Sequence, residues 1–157
     1  MPYQWMFFKS ALDAGLADFA YRIADTALTL WQNECAESYC CFEHFMIESR
    51  RGAGWHQFSG LSSPIVQWFS AYYRPGTLTT GFDAFVRHTD WAPDNSALNA
   101  TLDFTAAGRS TVLAVLQPGF KAVTASVPCT VTTRHDGLLE LTFALDAPCT
   151  VTISIHS

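Results

Sequence analysis

Charge is scarce in this sequence. Asp, Glu, Lys and Arg make up 15% of its 157 residues, and the formal net charge is −5. No basic run extends beyond Arg50-Arg51, so the electrostatic footprint that a polyphosphate backbone demands is missing, and no nucleic-acid partner is expected. Five cysteines, Cys35, Cys40, Cys41, Cys129 and Cys149, form neither a CxxC pair nor any metal-ligand spacing. An odd count with two adjacent thiols fits buried, reduced side chains of a reducing compartment, so a disulfide framework is not expected. No apolar run approaches the roughly 20 residues of a membrane span. The first ten residues lack the basic region and long apolar run of a secretion signal. The expectation is a cytoplasmic protein that works without membrane, metal or organic cofactor. There is no internal repeat, no low-complexity tract and no Gly-x-Ser-x-Gly elbow, which sets serine hydrolysis aside.

What the sequence does have is apolar surface. Hydrophobic residues are 49% of the chain and aromatics 14%, enough to bury a core and more aromatic than a short chain needs. Such rings fill cores, and they also stack on sugars; composition does not choose between the two. From Ser10, with Asp13 in the first turn, Leu12, Leu16, Phe19, Ala20, Ile23, Ala27 and Leu30 recur at spacings of three and four, which predicts one long helix from Ala11 to Gln32. Ser63-Pro64 reads as the start of a second helix. That helix carries Ile65, Trp68, Phe69 and Tyr72 on one stripe and ends at Arg74-Pro75-Gly76.

Beyond Gly81 the pattern changes to alternation. Six runs, 100–105, 111–116, 122–127, 130–133, 138–143 and 150–155, are separated by turn residues such as Ala107-Gly108, Pro118-Gly119 and His135-Asp136-Gly137. Short strands at this spacing predict an antiparallel sandwich. The fold class expected is therefore α+β: a partial (α/α) helical barrel segment over residues 1–80, followed by a small antiparallel β-sandwich over residues 81–157. Two amphipathic helices make an incomplete layer, because each apolar stripe needs an opposing surface. Either a second copy of the chain supplies it, or further helices of a larger architecture do.

The stretch from Tyr39 to Ser62 lies between the two expected helices. It begins with β character, passes a turn expected at Arg51-Gly52-Ala53-Gly54, and places Glu43 among Phe42, His44 and Phe45. A carboxylate in apolar surroundings either has a dedicated partner or has a job. Arg50 and Arg51 are the candidate partners, with Glu48 as a competitor for them.

Phe42-Glu43-His44-Phe45, then Arg51-Gly52-Ala53-Gly54, then Phe58-Ser59-Gly60-Leu61-Ser62 and an aromatic helix together resemble the last segment of the six-hairpin glycosidases with an (α/α)6 barrel. The similarity is to the processing α-glucosidase and mannosylglycerate-hydrolase-like group, over roughly residues 10–76. The resemblance implies an inverting glycoside hydrolase acting on a carbohydrate substrate. Glu43 would be the base that activates water, while an acid from an earlier part of the barrel protonates the departing oxygen. Inverting enzymes hold the two carboxyl groups about 6.5 to 9.5 Å apart to admit that water. His44 stands where the group has Asn and would orient Glu43 or bond substrate; Gly60 stands where it has Trp, leaving Trp55 to replace the sugar-stacking ring. His56 and Gln57 complete the expected substrate contacts. The remainder of the barrel would come from another chain or a missing segment, and a homo-oligomer is the other way to cover the helices. The plainer readings are that Glu43 is ion-paired, His44 and His56 are structural, and Trp55, Gln57 and Trp68 only pack. Two other functions also fit: a carbohydrate-binding or structural sandwich module, and a homodimeric interaction protein without catalysis.

Overall fold

The computed structural model describes residues 2–57, 59–119 and 121–156, and the side chains of residues 3–57, 63–119 and 121–156. Two helices come first, α1 (Pro2–Asp13) and α2 (Ala17–Ser38), then a hairpin of β1 (Phe42–Phe45) and β2 (Gly52–His56), then α3 (Ser59–Tyr73). Eight more strands follow: β3 (Thr77–Thr79), β4 (Ala84–Trp91), β5 (Leu98–Phe104), β6 (Gly108–Val115), β7 (Ala122–Ala125), β8 (Cys129–His135), β9 (Leu138–Leu145) and β10 (Cys149–His156). The class is α+β.

The single helix expected from Ala11 to Gln32 is two helices. Gly15 takes φ 68° and donates its N–H to Leu12 O at 3.0 Å, while Leu16 N–H reaches back to Ala11 O at 2.8 Å. These bonds satisfy the last carbonyls of α1 and reverse the chain. The periodicity ran through the break because both helices bury the same side: Ala11 and Leu12 of α1 share a core with Ala20, Ala24 and Ala27 of α2. Ser10 lies in the body of α1 and caps nothing. Helix α2 continues to Ser38 and stops at Tyr39, which is left-handed at φ 56° and bonds Cys35 O.

The third helix starts at Ser59, four residues before the expected Ser63, so buried Pro64 lies inside it. Phe58, with the side chains of Ser59, Gly60, Leu61 and Ser62, is outside the described residues. The helix ends as expected, with Gly76 at φ 83° donating to Val115 O at 2.9 Å.

The six expected strands all form, as β5 to β10, and two were missed. β3 is too short to show a period, and it joins the sheet before residue 81 by pairing Thr77 with Val115. β4 is an edge strand with Arg87, His88 and Asp90 exposed, so its alternation is blurred, and its pairing with β5 shifts register between Val86 and His88. Two four-stranded antiparallel sheets result, ordered β4-β5-β10-β7 and β3-β6-β9-β8. Leu98, Leu102, Phe104, Val151, Ile153 and Ile155 of the first face Val112, Leu141 and Phe143 of the second.

The second sheet is buried on both sides, which explains the unbroken apolar run Val112-Leu113-Ala114-Val115-Leu116. Leu113, Val115 and Leu138 point away from the sandwich into a second core with Phe8, Leu12, Ile65, Trp68 and Tyr72. Polar side chains finish this helix–sheet junction. Arg134 of β8 forks onto buried Glu140 of β9, with Nη2 3.1 Å from Oε2 and Nε on Oε1, and also reaches Asp18 Oδ1 at 2.5 Å. Its guanidinium lies 4.5 Å from the Tyr21 ring centre. Asp13 and Asp18 are therefore connectors. Asp13 accepts the N–H groups of Phe82 at 2.7 Å and Asp83 at 3.1 Å. The cysteines are all free thiols. No helix among the described residues is long and apolar enough to cross a membrane.

Candidate functional site

The hairpin carries Glu43, His44, Trp55 and His56, with Gln57 directly after it. Its turn is formed by residues 46–51, ahead of the expected glycines: Met46 N–H donates to Arg51 O at 3.0 Å and Arg50 N–H to Met46 O at 2.9 Å. Arg50 takes φ 57° there. The glycines lie in β2 instead, because each faces a side chain of β1. A Cβ on Gly52 would sit 2.1 Å from the Phe42 ring, and one on Gly54 would sit 2.6 Å from Glu43 Oε2.

The register is interrupted at the carboxylate. Phe42 pairs with His56 and His44 with Ala53, so one residue of β1, Glu43, stands opposite Gly54 and Trp55. This is a β-bulge, a device that takes an amide out of the ladder and re-aims a side chain. Gly54 supplies the positive φ, 80°. The displaced Trp55 N–H approaches Glu43 Oε2 at 3.5 Å, a weak bond at that length. Glu43 is half-buried, and among the described residues no ion pair reaches it.

Of the two arginines offered as partners for Glu43, Arg50 and Arg51, the second is engaged elsewhere and the first makes no ion pair among the described residues. Arg51 donates from Nε to Glu34 Oε2 at 2.9 Å and from Nη2 to Glu34 Oε1 at 3.1 Å, and its Nη1 meets Glu37 Oε2 at 2.5 Å. Gly52 N–H adds a third bond to Glu34, at 2.8 Å. Glu34 is 4% exposed. Arg51's bonds, then the Gly52 amide, hold its carboxyl down to about 2 against the opposing effect of desolvation. Sequence reasoning missed Glu34. Its signal was the pair Glu34 and Glu37, three apart and so on one helix face, but nothing local ties that pair to an arginine 17 residues later.

The other expected contacts stand outward. His44, His56 and Gln57 are exposed, and Trp55 is 72% exposed. Gln57 takes φ 60° as the chain turns into α3. Trp68 is fully buried against Phe8 and Trp5, so the packing reading holds for it. Two clefts open elsewhere. One, of about 380 Å³, lies on the outer face of the first sheet beside His88, Asn99, Thr101 and Thr152. The other, of about 520 Å³, lies between the α1–α2 turn and the second sheet beside Asp18, Arg22, Arg109 and Arg134. No hairpin residue lines either. Among the described residues, no group of three His, Cys, Asp or Glu side chains is disposed to hold a metal ion.

Apolar side chains stand exposed on the helices and the hairpin. Tyr3, Met6 and Phe7 form a stripe on α1, Val66, Phe69 and Tyr73 another on α3, and Tyr39, Met46, Ile47 and Trp55 stand on the hairpin and its approach. Helix α3 has no charged residue at all and carries apolar groups on two adjoining faces, Ile65, Trp68 and Tyr72 inward and Val66, Phe69 and Tyr73 outward. A helix of that kind is normally covered on both sides.

The chain matches no family model, no curated protein and no solved structure.

Proposed function

We propose that this chain supplies the water-activating carboxylate of an inverting glycoside hydrolase, and that Glu43 is that base. The observation carrying this reading is the carboxylate's setting: half-buried in a bulge of an aromatic hairpin, with Arg51 held by Glu34 and Glu37 rather than by Glu43. A carboxylate open to water and without an ion-pair partner among the described residues is placed for base catalysis. Glu43 takes a proton from water as the water oxygen bonds to the anomeric carbon. The bond to the departing oxygen breaks, and an acid positioned opposite protonates that oxygen.

The acid comes from outside this chain's described residues, as does the rest of the cleft. The helical layer is one wall of a partial (α/α) barrel, and the exposed faces of α1 and α3 are where further helices pack, from another chain or another segment. Trp55, exposed beside Glu43, offers its ring face to a sugar; His44, His56 and Gln57 offer hydrogen bonds at the same rim. No metal or organic cofactor takes part in this scheme.

The test is hydrolysis by the assembled enzyme carrying Glu43→Gln. The amide keeps the shape and loses the basicity, so turnover falls about 10²- to 10⁴-fold while the circular dichroism spectrum is unchanged. Wild-type turnover by the variant would end the assignment. A stable dimer of this chain that buries the hairpin would instead favour the interaction-protein reading.

A further inference from the structure

We propose that Glu34 is the positioning residue that sets where the Glu43 carboxylate stands, acting through Arg51 and Gly52; the inference rests on the reading of Glu43 as the base. The strand β1 also packs on α3, and the fork acts beside that contact. Neither strand contains a fully buried residue, and its pairing is broken at the bulge. Its polar anchor is the end of α2, where Glu34 receives both arms of one arginine fork and a backbone amide of β2, at 2.8 to 3.1 Å. A bidentate fork constrains angle as well as distance.

The consequence passes along a short path. Gly52, held by Glu34, lies beneath the Phe42 ring at a separation that admits no side chain. Phe42 precedes Glu43, and two residues beyond Gly52 the chain reaches Gly54, whose missing side chain makes room for Glu43 Oε2. Moving Gly52 relative to α2 therefore moves both walls of the carboxylate's seat. Ser38 and Tyr39 close the other end. Ser38 Oγ bonds Glu34 O at 2.9 Å and receives Cys40 N–H at 3.3 Å, and Tyr39 N–H bonds Cys35 O at 3.0 Å. The chain thus leaves α2 for β1 from the same turn of helix that carries Glu34. Glu37 makes the outer bond to Arg51 from an exposed position, which makes it a control that removes a charge without touching the fork.

Three variants test this: Glu34→Gln, Arg51→Lys and Glu37→Gln. Gln at 34 sets an NH2 against a guanidinium that needs acceptors, and Lys at 51 keeps the charge but cannot fork. In the assembled enzyme, Glu34→Gln and Arg51→Lys are expected to lower kcat about 10- to 100-fold with KM little changed, because misplacement by about 1 Å costs about that much. Glu37→Gln is expected to stay within about twofold, as a surface pair permits. A second measurement on the isolated chain needs no activity. NMR locates the Trp55 amide proton, whose nitrogen lies 3.5 Å from Glu43 Oε2, in wild type, in Glu43→Gln and in each variant, while the amides of β5, β6, β9 and β10 report whether the sandwich is folded.

Movement of the Trp55 amide signal in Glu34→Gln and Arg51→Lys toward its position in Glu43→Gln, with sandwich amides unmoved, supports the inference. A Trp55 amide signal left at its wild-type position in both overturns it, as does an effect of Glu37→Gln equal to that of Glu34→Gln. If Glu43→Gln is inactive while Arg51→Lys keeps wild-type kcat, the positioning role falls and the base assignment stands. If Glu43→Gln is fully active, the base assignment falls and the Trp55 measurement alone decides how the hairpin is held.

Discussion

The hairpin and the sandwich are both antiparallel β-structure, but they are held by different forces. Strands β6 and β9 pair through eight consecutive positions without interruption, from Gly108 opposite Leu145 to Val115 opposite Leu138, and both faces of that pair are packed. Strands β1 and β2 pair around a bulge, bury no residue fully, and are tied down by the packing of β1 on α3 and by one buried carboxylate near the end of α2. The first arrangement resists change because apolar burial is spread over many side chains. The second is set by a few directional bonds, so small edits re-aim it. A group that must meet a substrate is better placed on the second kind of element, where its direction is specified separately from the stability of the fold.

The difference is measurable. Phe143→Ala, which removes a fully buried ring 5.4 Å from that of Phe104, should cost about 3 to 5 kcal/mol in denaturant unfolding. A loss below about 1 kcal/mol would mean that the sandwich core is not the seat of stability. Gly54→Ala should cost less and cost it locally. Its φ of 80° disfavours a side chain by about 1 to 2 kcal/mol, and the new Cβ would meet Glu43 Oε2 at 2.6 Å. Amide hydrogen exchange should rise in residues 42–56 and stay unchanged in β5 to β10. Equal change in both would erase the distinction.

The smallest effect is on pH dependence. Glu34 has its carboxyl lowered from 4.5 to about 2, so between those values the unfolded hairpin binds a proton that the folded one does not. Stability from this group is complete above about 4.5, and it is lost progressively as pH falls toward and through about 2. Exchange protection of the Gly52 amide should follow that window. Protection independent of pH from 5 to 2, on the order of the range just given, would show that the fork does not hold the hairpin.

Much of the sandwich was legible because its strands alternate and end in turn residues: Val151, Ile153 and Ile155 face one way, and Thr150 and Thr152 the other. β3 and β4 were not, since three residues show no period and an edge strand carries polar groups on the face a buried strand keeps apolar. The break at Gly15 was hidden by a shared core: Leu12 before it and Ala20 after it bury the same side, so periodicity crossed a chain reversal. The aromatic hairpin and Glu43 were visible as residue types. The bulge was not, because it depends on Gly54 opposing Glu43 across a turn placed at residues 46–51 rather than at the glycines. The fork of Glu34 on Arg51 joins residues 17 apart, and no local pattern reports such a pair.

The most direct measurement replaces the base with a free anion: Glu43→Ala in the assembled enzyme, assayed with and without azide, the anomeric configuration of the first product read by proton NMR. The account predicts almost no hydrolysis without azide. With azide, turnover returns and yields a glycosyl azide of inverted configuration, as the anion attacks from the side the water would have used. Undiminished hydrolysis by Glu43→Ala with no response to azide would contradict the account at its centre.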